Sequence, residues 1–210
     1  MNKGLAIGLG CLGVIILVVL VIGGALIGSY NGLVQKDQEV SKQWAQVENV
    51  YQRRADLIPN LVNTVQGAAN FEKSTLTEVT DARARVGQVQ VALPAGATPN
   101  AEQLAQFQQA QGQLGSALSR LLVVSEKYPT LTATQNFRDL QAQLEGTENR
   151  IAVERERFNQ VAQDYNTAIR SFPTVFYAAA FGFKERAYFT ATAGSDVPPK
   201  VNFDFNNKSQ

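Results

Sequence analysis

Four carboxylates on helix-forming segments, Asp56, Glu145, Glu148 and Asp164, are the groups of this chain best suited to chemistry. Two acids across a cleft can cleave a glycosidic bond or bind a metal together. The chain has no histidine, and its one cysteine, Cys11, lies within a run of apolar residues. Ser-His-Asp and Cys-His nucleophilic sites, histidine-ligated zinc and the Glu-x-x-His pairs of di-iron bundles are therefore excluded. Acids on long helices are mostly charges of a solvated face. No catalytic residue, metal site or cofactor is assigned, and a carboxylate hydrolase stays a minor alternative. Arg53–Arg54 and Arg83–Arg85 can hold phosphates or lipid headgroups, yet acids accompany both. The net charge is +1, from 19 basic and 18 acidic residues, and offers nothing to attract nucleic acid.

Arg54 and Glu154 raise a different question, because each interrupts an apolar stripe. Val40, Trp44, Val47, Tyr51, Ile58, Leu61 and Val65 recur at four- and three-residue intervals, the seam of a bundle helix, and Arg54 fills the gap. Pro59 lacks an N–H and bends this helix without ending it. Leu76, Val79, Val86 and Val89 either extend that helix or begin a second. A Pro- and Gly-rich linker follows at Leu93–Asn100. A third helix, about 101–127, carries Leu104, Phe107, Leu114, Leu118, Leu121 and Tyr128; Pro129 ends it, and Thr130 or Thr132 caps the next. The fourth has the most regular stripe, Phe137, Leu140, Leu144, Ile151, Phe158, Val161, Tyr165, Ala168 and Phe172, with Thr147 and Glu154 in its gaps. Long helices with narrow stripes bury them against one another, so the fold class is all-α, an elongated antiparallel bundle of four-helix type.

A charge on such a stripe needs a partner or a route to water. The expectation is that Arg54 meets Glu154 across the core, with Asp56 or Glu148 completing the network and fixing helix register. The competing reading sends both side chains past the stripe edge into solvent.

Ahead of the bundle, Leu5 to Ile27 is an unbroken apolar run with no charge between Lys3 and Lys36. At ~1.5 Å per residue it measures roughly 35 Å, against about 30 Å for the hydrocarbon core of a bilayer. Leu5, Leu9, Ile15, Leu20 and Ile27 are taken as its lipid-facing residues. The run exceeds the apolar stretch of a signal peptide and reads as a retained anchor, although Gly28–Ser29 imitates a cleavage site. Its small-residue pairs, Gly4/Gly8, Ala6/Gly10 and Gly24/Gly28, can bring helices of two copies together. Lys3 and the amino terminus oppose Lys36 and Lys42, which leaves orientation near balance. The bundle is placed outside the cytoplasm because Lys3 stays inside, with the reverse topology open.

After Pro173 comes an aromatic patch, Phe176, Tyr177, Phe181, Phe183, Tyr188 and Phe189, too short to span a membrane. It is either a cap folded over the bundle end or a membrane- or partner-contact surface built on Phe176, Tyr177, Phe181, Phe183 and Phe189. Val201, Phe203 and Phe205 alternate in the tail and can add a strand to a partner's sheet.

Asn31-Gly32-Leu33-Val34, Trp44 to Val47 and Arg53-Arg54-Ala55-Asp56-Leu57-Ile58-Pro59-Asn60-Leu61-Val62 resemble the N-terminal signature of the LemA family. Tyr128-Pro129, Asn136-Phe137, Leu144-Glu145-Gly146-Thr147-Glu148-Asn149-Arg150-Ile151, Asp164-Tyr165-Asn166 and Gly182-Phe183-Lys184 extend the resemblance, which covers Asn31 to Phe189. It implies a bacterial membrane protein with one N-terminal spanning helix and a bundle of long helices, of a family associated with envelope or specialised internal membranes; the expected location is the cytoplasmic (inner) membrane. It supplies no established activity and no catalytic residues.

The sequence thus divides into an anchor at 1–29, a LemA-like helical bundle at 30–190 and a disordered tail at 191–210. The expected protein is a non-enzymatic, single-pass membrane scaffold of the bacterial envelope. Its partners are the lipid bilayer, an envelope protein and further copies of itself, with no nucleic acid among them. Membrane remodelling by an oligomer is the second reading.

Overall fold

The computed structural model describes residues 3–67, 71–92 and 98–190, with side chains from Gly10 onward. Its helices are α1 (Lys3–Gln66), α2 (Lys73–Ala92), α3 (Ala101–Ser125), the single turn α4 (Pro129–Thr132) and α5 (Gln135–Arg170), and no strand occurs among the described residues. The fold is all-α. The segment after Gly67 begins a second helix rather than extending the first.

α1 is 64 residues long, about 96 Å. Its large side chains from Leu12 to Ile27, Ile15, Leu20 and Ile27 among them, stand open on every side. A helix that is apolar all round belongs in a core or a bilayer, and no core surrounds this one. It is long and apolar enough to cross a membrane. Leu5 and Leu9 continue the same helical backbone, but their side chains lie outside the described residues. At Leu33 the same helix acquires a buried stripe, and Val40, Trp44, Val47, Tyr51, Ile58, Leu61 and Val65 carry it to the far end. The boundary drawn at residue 29 therefore falls within one helix, with no turn between the apolar stretch and the bundle.

α1 also runs through Pro59. Proline has no N–H for the carbonyl four residues back, which here is Ala55. That carbonyl accepts from Arg83 Nε of α2 at 3.1 Å, so the neighbouring helix makes good the lost bond. Removing the Arg83 side chain is expected to cost about 1 kcal/mol with Pro59 present and less with Pro59→Ala, a coupling that a double-mutant cycle in denaturant unfolding reads directly.

The four long helices run up, down, up, down. Arg120 of α3 clasps Glu78 of α2 at 2.9 and 2.7 Å, and Arg85 of α2 donates to Gln113 Oε1 of α3 at 3.3 Å, so that pair runs antiparallel. Asn100 begins α3 with a capping box: its side chain accepts from Gln103 N while Gln103 accepts from Asn100 N. Pro129 opens α4 instead of merely ending α3, and the cap of α5 is Thr134, not Thr130 or Thr132. The α5 stripe is buried at Phe137, Leu144, Thr147, Ile151, Phe158 and Tyr165. Phe172 departs from it and is 81 % exposed, because α5 stops at Arg170.

Candidate functional site

The core is two clusters rather than one. The cluster far from the apolar stretch gathers Leu57 to Val65 of α1, the buried face of α2, Ala110 to Leu121 of α3, Leu131, Phe137 and Leu144. The near cluster gathers Leu33 to Tyr51 of α1, Leu104 and Phe107 of α3, Ile151 to Ile169 of α5, Ala178 and Phe189. Between them, at one level on three helices, lie Arg54, Gln111, Thr147 and Glu148.

Arg54 is only 3 % exposed and organises this polar layer. Its Nη1 donates to Glu148 Oε1 at 2.7 Å, and its Nη2 donates to the side-chain and main-chain oxygens of Gln111. The guanidinium also sits 5.1 Å from the centre of the Tyr51 ring. Thr147 turns its hydroxyl back to Gln143 O at 2.7 Å. Arg54 Nε and Gln111 Nε2 are buried without a hydrogen-bond partner.

The expected Arg54–Glu154 pair does not form. The antiparallel register of α1 and α5 sets Glu148 opposite Arg54, and Glu154 lies six residues, about 9 Å, further along. Glu154 instead accepts from Gln43 Nε2 at 2.7 Å and from Arg157 Nη1 at 2.8 Å. Asp56 takes no part in the layer; it is exposed and accepts from Gln52 on its own helix.

The layer opens to solvent through a cleft of about 630 Å³, bordered by Tyr51, Arg54, Gln108, Gln111, Glu148 and Arg155. Its polar lining is mostly hydrogen-bond donors, with one acid. Burial pushes the Tyr51 phenol above its ordinary range, and Arg155 and Arg54 oppose the shift. Glu145 and Glu148 share a neighbouring groove, but Glu148 is engaged by Arg54, and Asp164 sits exposed beside Gln160. Among the described residues no three of His, Cys, Asp or Glu gather as a metal would require.

The second feature is the chain after α5. From Gly182, whose φ of +83° suits the residue without a Cβ, it runs extended back along α5. Asn166 Oδ1 accepts from Arg186 N and its Nδ2 donates to Arg186 O, both at 2.8 Å. Asn159 makes the same two-way pairing with Phe189, again at 2.8 Å. Seven helical residues rise about 10.5 Å and three extended ones about 10 Å, so a heptad-spaced asparagine pair matches every third residue of the returning segment. Arg186 then reaches Asp37 of α1 at 2.5 Å, and Arg155 donates to Thr190 O at 3.1 Å.

This return segment divides the aromatic patch. Phe189 is 5 % exposed and belongs to the core, stacked on Trp44 with centroids 6.1 Å apart and edge-on to Phe158 at 5.5 Å. Phe183 and Tyr177 are half-buried, while Phe176 and Phe181 are 79 % and 64 % exposed. Tyr30 of α1 meets Phe181 and Phe183 at 5.4 and 5.7 Å, and Ser29 Oγ lies 3.3 Å from Thr174 Oγ1. The tail residues Val201, Phe203 and Phe205 lie outside the described residues.

An elongated four-helix bundle continuous with a long apolar helix and carrying an arginine-centred layer defines a membrane-associated helical protein. A comparison with known families matches residues 43–203 to the LemA family, and the chain belongs to it. The chain is similar to magnetosome protein MamQ of Magnetospirillum gryphiswaldense, 30% identical over 189 residues, which cover 82% of this chain and 69% of the relative. Magnetosome protein MamQ 2 of Paramagnetospirillum magneticum is 29% identical over the same shares. Protein LemA of Metamycoplasma hominis is 22% identical over 166 residues, 79% of this chain and 71% of the relative.

Proposed function

We propose that this protein is a non-enzymatic scaffold of the bacterial envelope. α1 crosses the inner membrane once, and the bundle stands outside the cytoplasm and presents its polar faces to an envelope protein or to further copies of the chain. The observation that carries this reading is the unbroken α1, which joins a lipid-compatible stretch to the bundle core without a joint. The cleft supports it in the same direction, since the acid it holds is committed to a structural arginine. Relatives named as magnetosome and LemA proteins support a role at a membrane.

Two measurements test it. With Cys11→Ala and Glu126→Cys, a membrane-impermeant maleimide is expected to label intact cells; protection until lysis would reverse the topology. Photo-crosslinkers at the exposed positions Arg85 and Arg138 are expected to trap a defined envelope protein or a second copy, and no protein adduct from any bundle face would remove the scaffold. A remodelling role draws on the open glycine face of α1, where a Cβ at Gly24 or Gly28 would meet nothing. Unchanged vesicle shape at high protein density would end that reading.

A further inference from the structure

Residues 171–183 form a loop without a single charge, closed at its base by Arg170 Nε donating to Glu185 Oε1 at 2.7 Å. On it Phe172, Val175, Phe176 and Phe181 are exposed, and Phe172 and Phe176 stand edge to face at 5.9 Å. Three open phenylalanines within ten residues of one loop are more than soluble surfaces ordinarily expose. What covers it follows from where it is held. The Ser29–Thr174 contact and the Tyr30–Phe181 and Tyr30–Phe183 ring contacts fix the loop against α1 two to three residues beyond Ile27, where the apolar run ends. Aromatic side chains gather at this depth because their apolar rings suit the headgroup–acyl boundary.

We propose that the loop is an interfacial anchor. Phe172, Phe176 and Phe181 enter the boundary of the leaflet from which α1 emerges, and lipid, rather than another protein, covers them. The loop thereby sets the height and tilt of the bundle, with the return segment and the Arg186–Asp37 pair tying it to the core. This rests on α1 crossing the membrane, and the test separates the two.

The full chain with Cys11→Ala, and one added cysteine at Phe176, Phe181, Leu20 or Glu126, is labelled with an environment-sensitive fluorophore. Each is reconstituted in phosphatidylethanolamine–phosphatidylglycerol vesicles, and spin-labelled lipids compete with aqueous iodide as quenchers. Labels at 176 and 181 are expected to be blue-shifted, quenched by shallow spin-labelled lipid and shielded from iodide, with Glu126→Cys showing the reverse. Iodide quenching at 176 and 181 equal to that at 126 would overturn the anchor, as would shielding from both quenchers, the mark of a covering protein. Lipid quenching retained at Leu20→Cys confines that failure to the loop. Its loss there as well would overturn the spanning helix and the loop's role together.

Discussion

Replacing Arg54 with alanine is expected to destabilise the bundle by about 2–4 kcal/mol, somewhat less than breaking a fully buried ion pair. The discount comes from Glu148, whose side chain is 48 % exposed and regains water when the guanidinium leaves. Gln111 has no such recourse: its side chain is buried and loses the donor that satisfies its oxygen. The contact with Tyr51 goes too, and the missing stem leaves space where three helices meet. Glu148→Gln keeps a hydrogen bond and is expected to cost about 1 kcal/mol. Urea unfolding of the full chain in detergent, followed by far-ultraviolet circular dichroism, checks both. An Arg54→Ala midpoint indistinguishable from the parent would reduce the layer to a spectator. Arg54→Leu with Gln111→Leu should recover much of the stability. That pair should also lose the single register, seen when cysteine pairs placed across α1 and α3 crosslink at several offsets.

Phe189→Ala is expected to cost about 3–4 kcal/mol, the range for emptying a buried aromatic site. Its ring lies between Trp44, Phe158 and the Arg155 guanidinium, 4.8 Å away, and closes the near cluster from outside α5. Trp44 is the chain's one tryptophan, so its emission should shift to the red as water reaches the vacated site. The damage should stay mostly local, because the Arg54 layer lies between the two clusters, with Val89 of α2 packed against both. Amide exchange should accelerate in residues 33–51 and 151–169 and change little in 57–65 and 114–121. Equal acceleration in both halves would mean that the clusters unfold as one unit.

These two residues also mark where reading the sequence succeeds and stops. The stripes of α1, α3 and α5 are legible because burial at every third or fourth residue is a property of one helix at a time. The offset between two helices is not, so Arg54 and Glu154 look like partners until the register brings Glu148 to Arg54 and Gln43 to Glu154. Phe189 reads as one of six neighbouring aromatics. Its burial depends on an extended segment that pairs with helix side chains instead of a sheet, and no periodic pattern announces such a segment. A signal was present in Asn159 and Asn166, seven residues apart on one face, although asparagine on a helix face ordinarily reads as solvated. Arg83 was visible only as a member of a basic stretch, while its use depends on the carbonyl that Pro59 leaves free.

The continuity of α1 makes the molecule a lever. About 55 Å of helix extends beyond Ser29 in line with the apolar stretch, with no hinge where the two meet. With α1 spanning the bilayer as proposed, a bilayer slightly thinner than the stretch is matched by tilting it, and a tilt of about 10° sweeps the far end sideways by about 10 Å. In that arrangement bilayer thickness becomes position at the distal turn around Pro129, which packs with the far end of α1, a bundle length from the lipid.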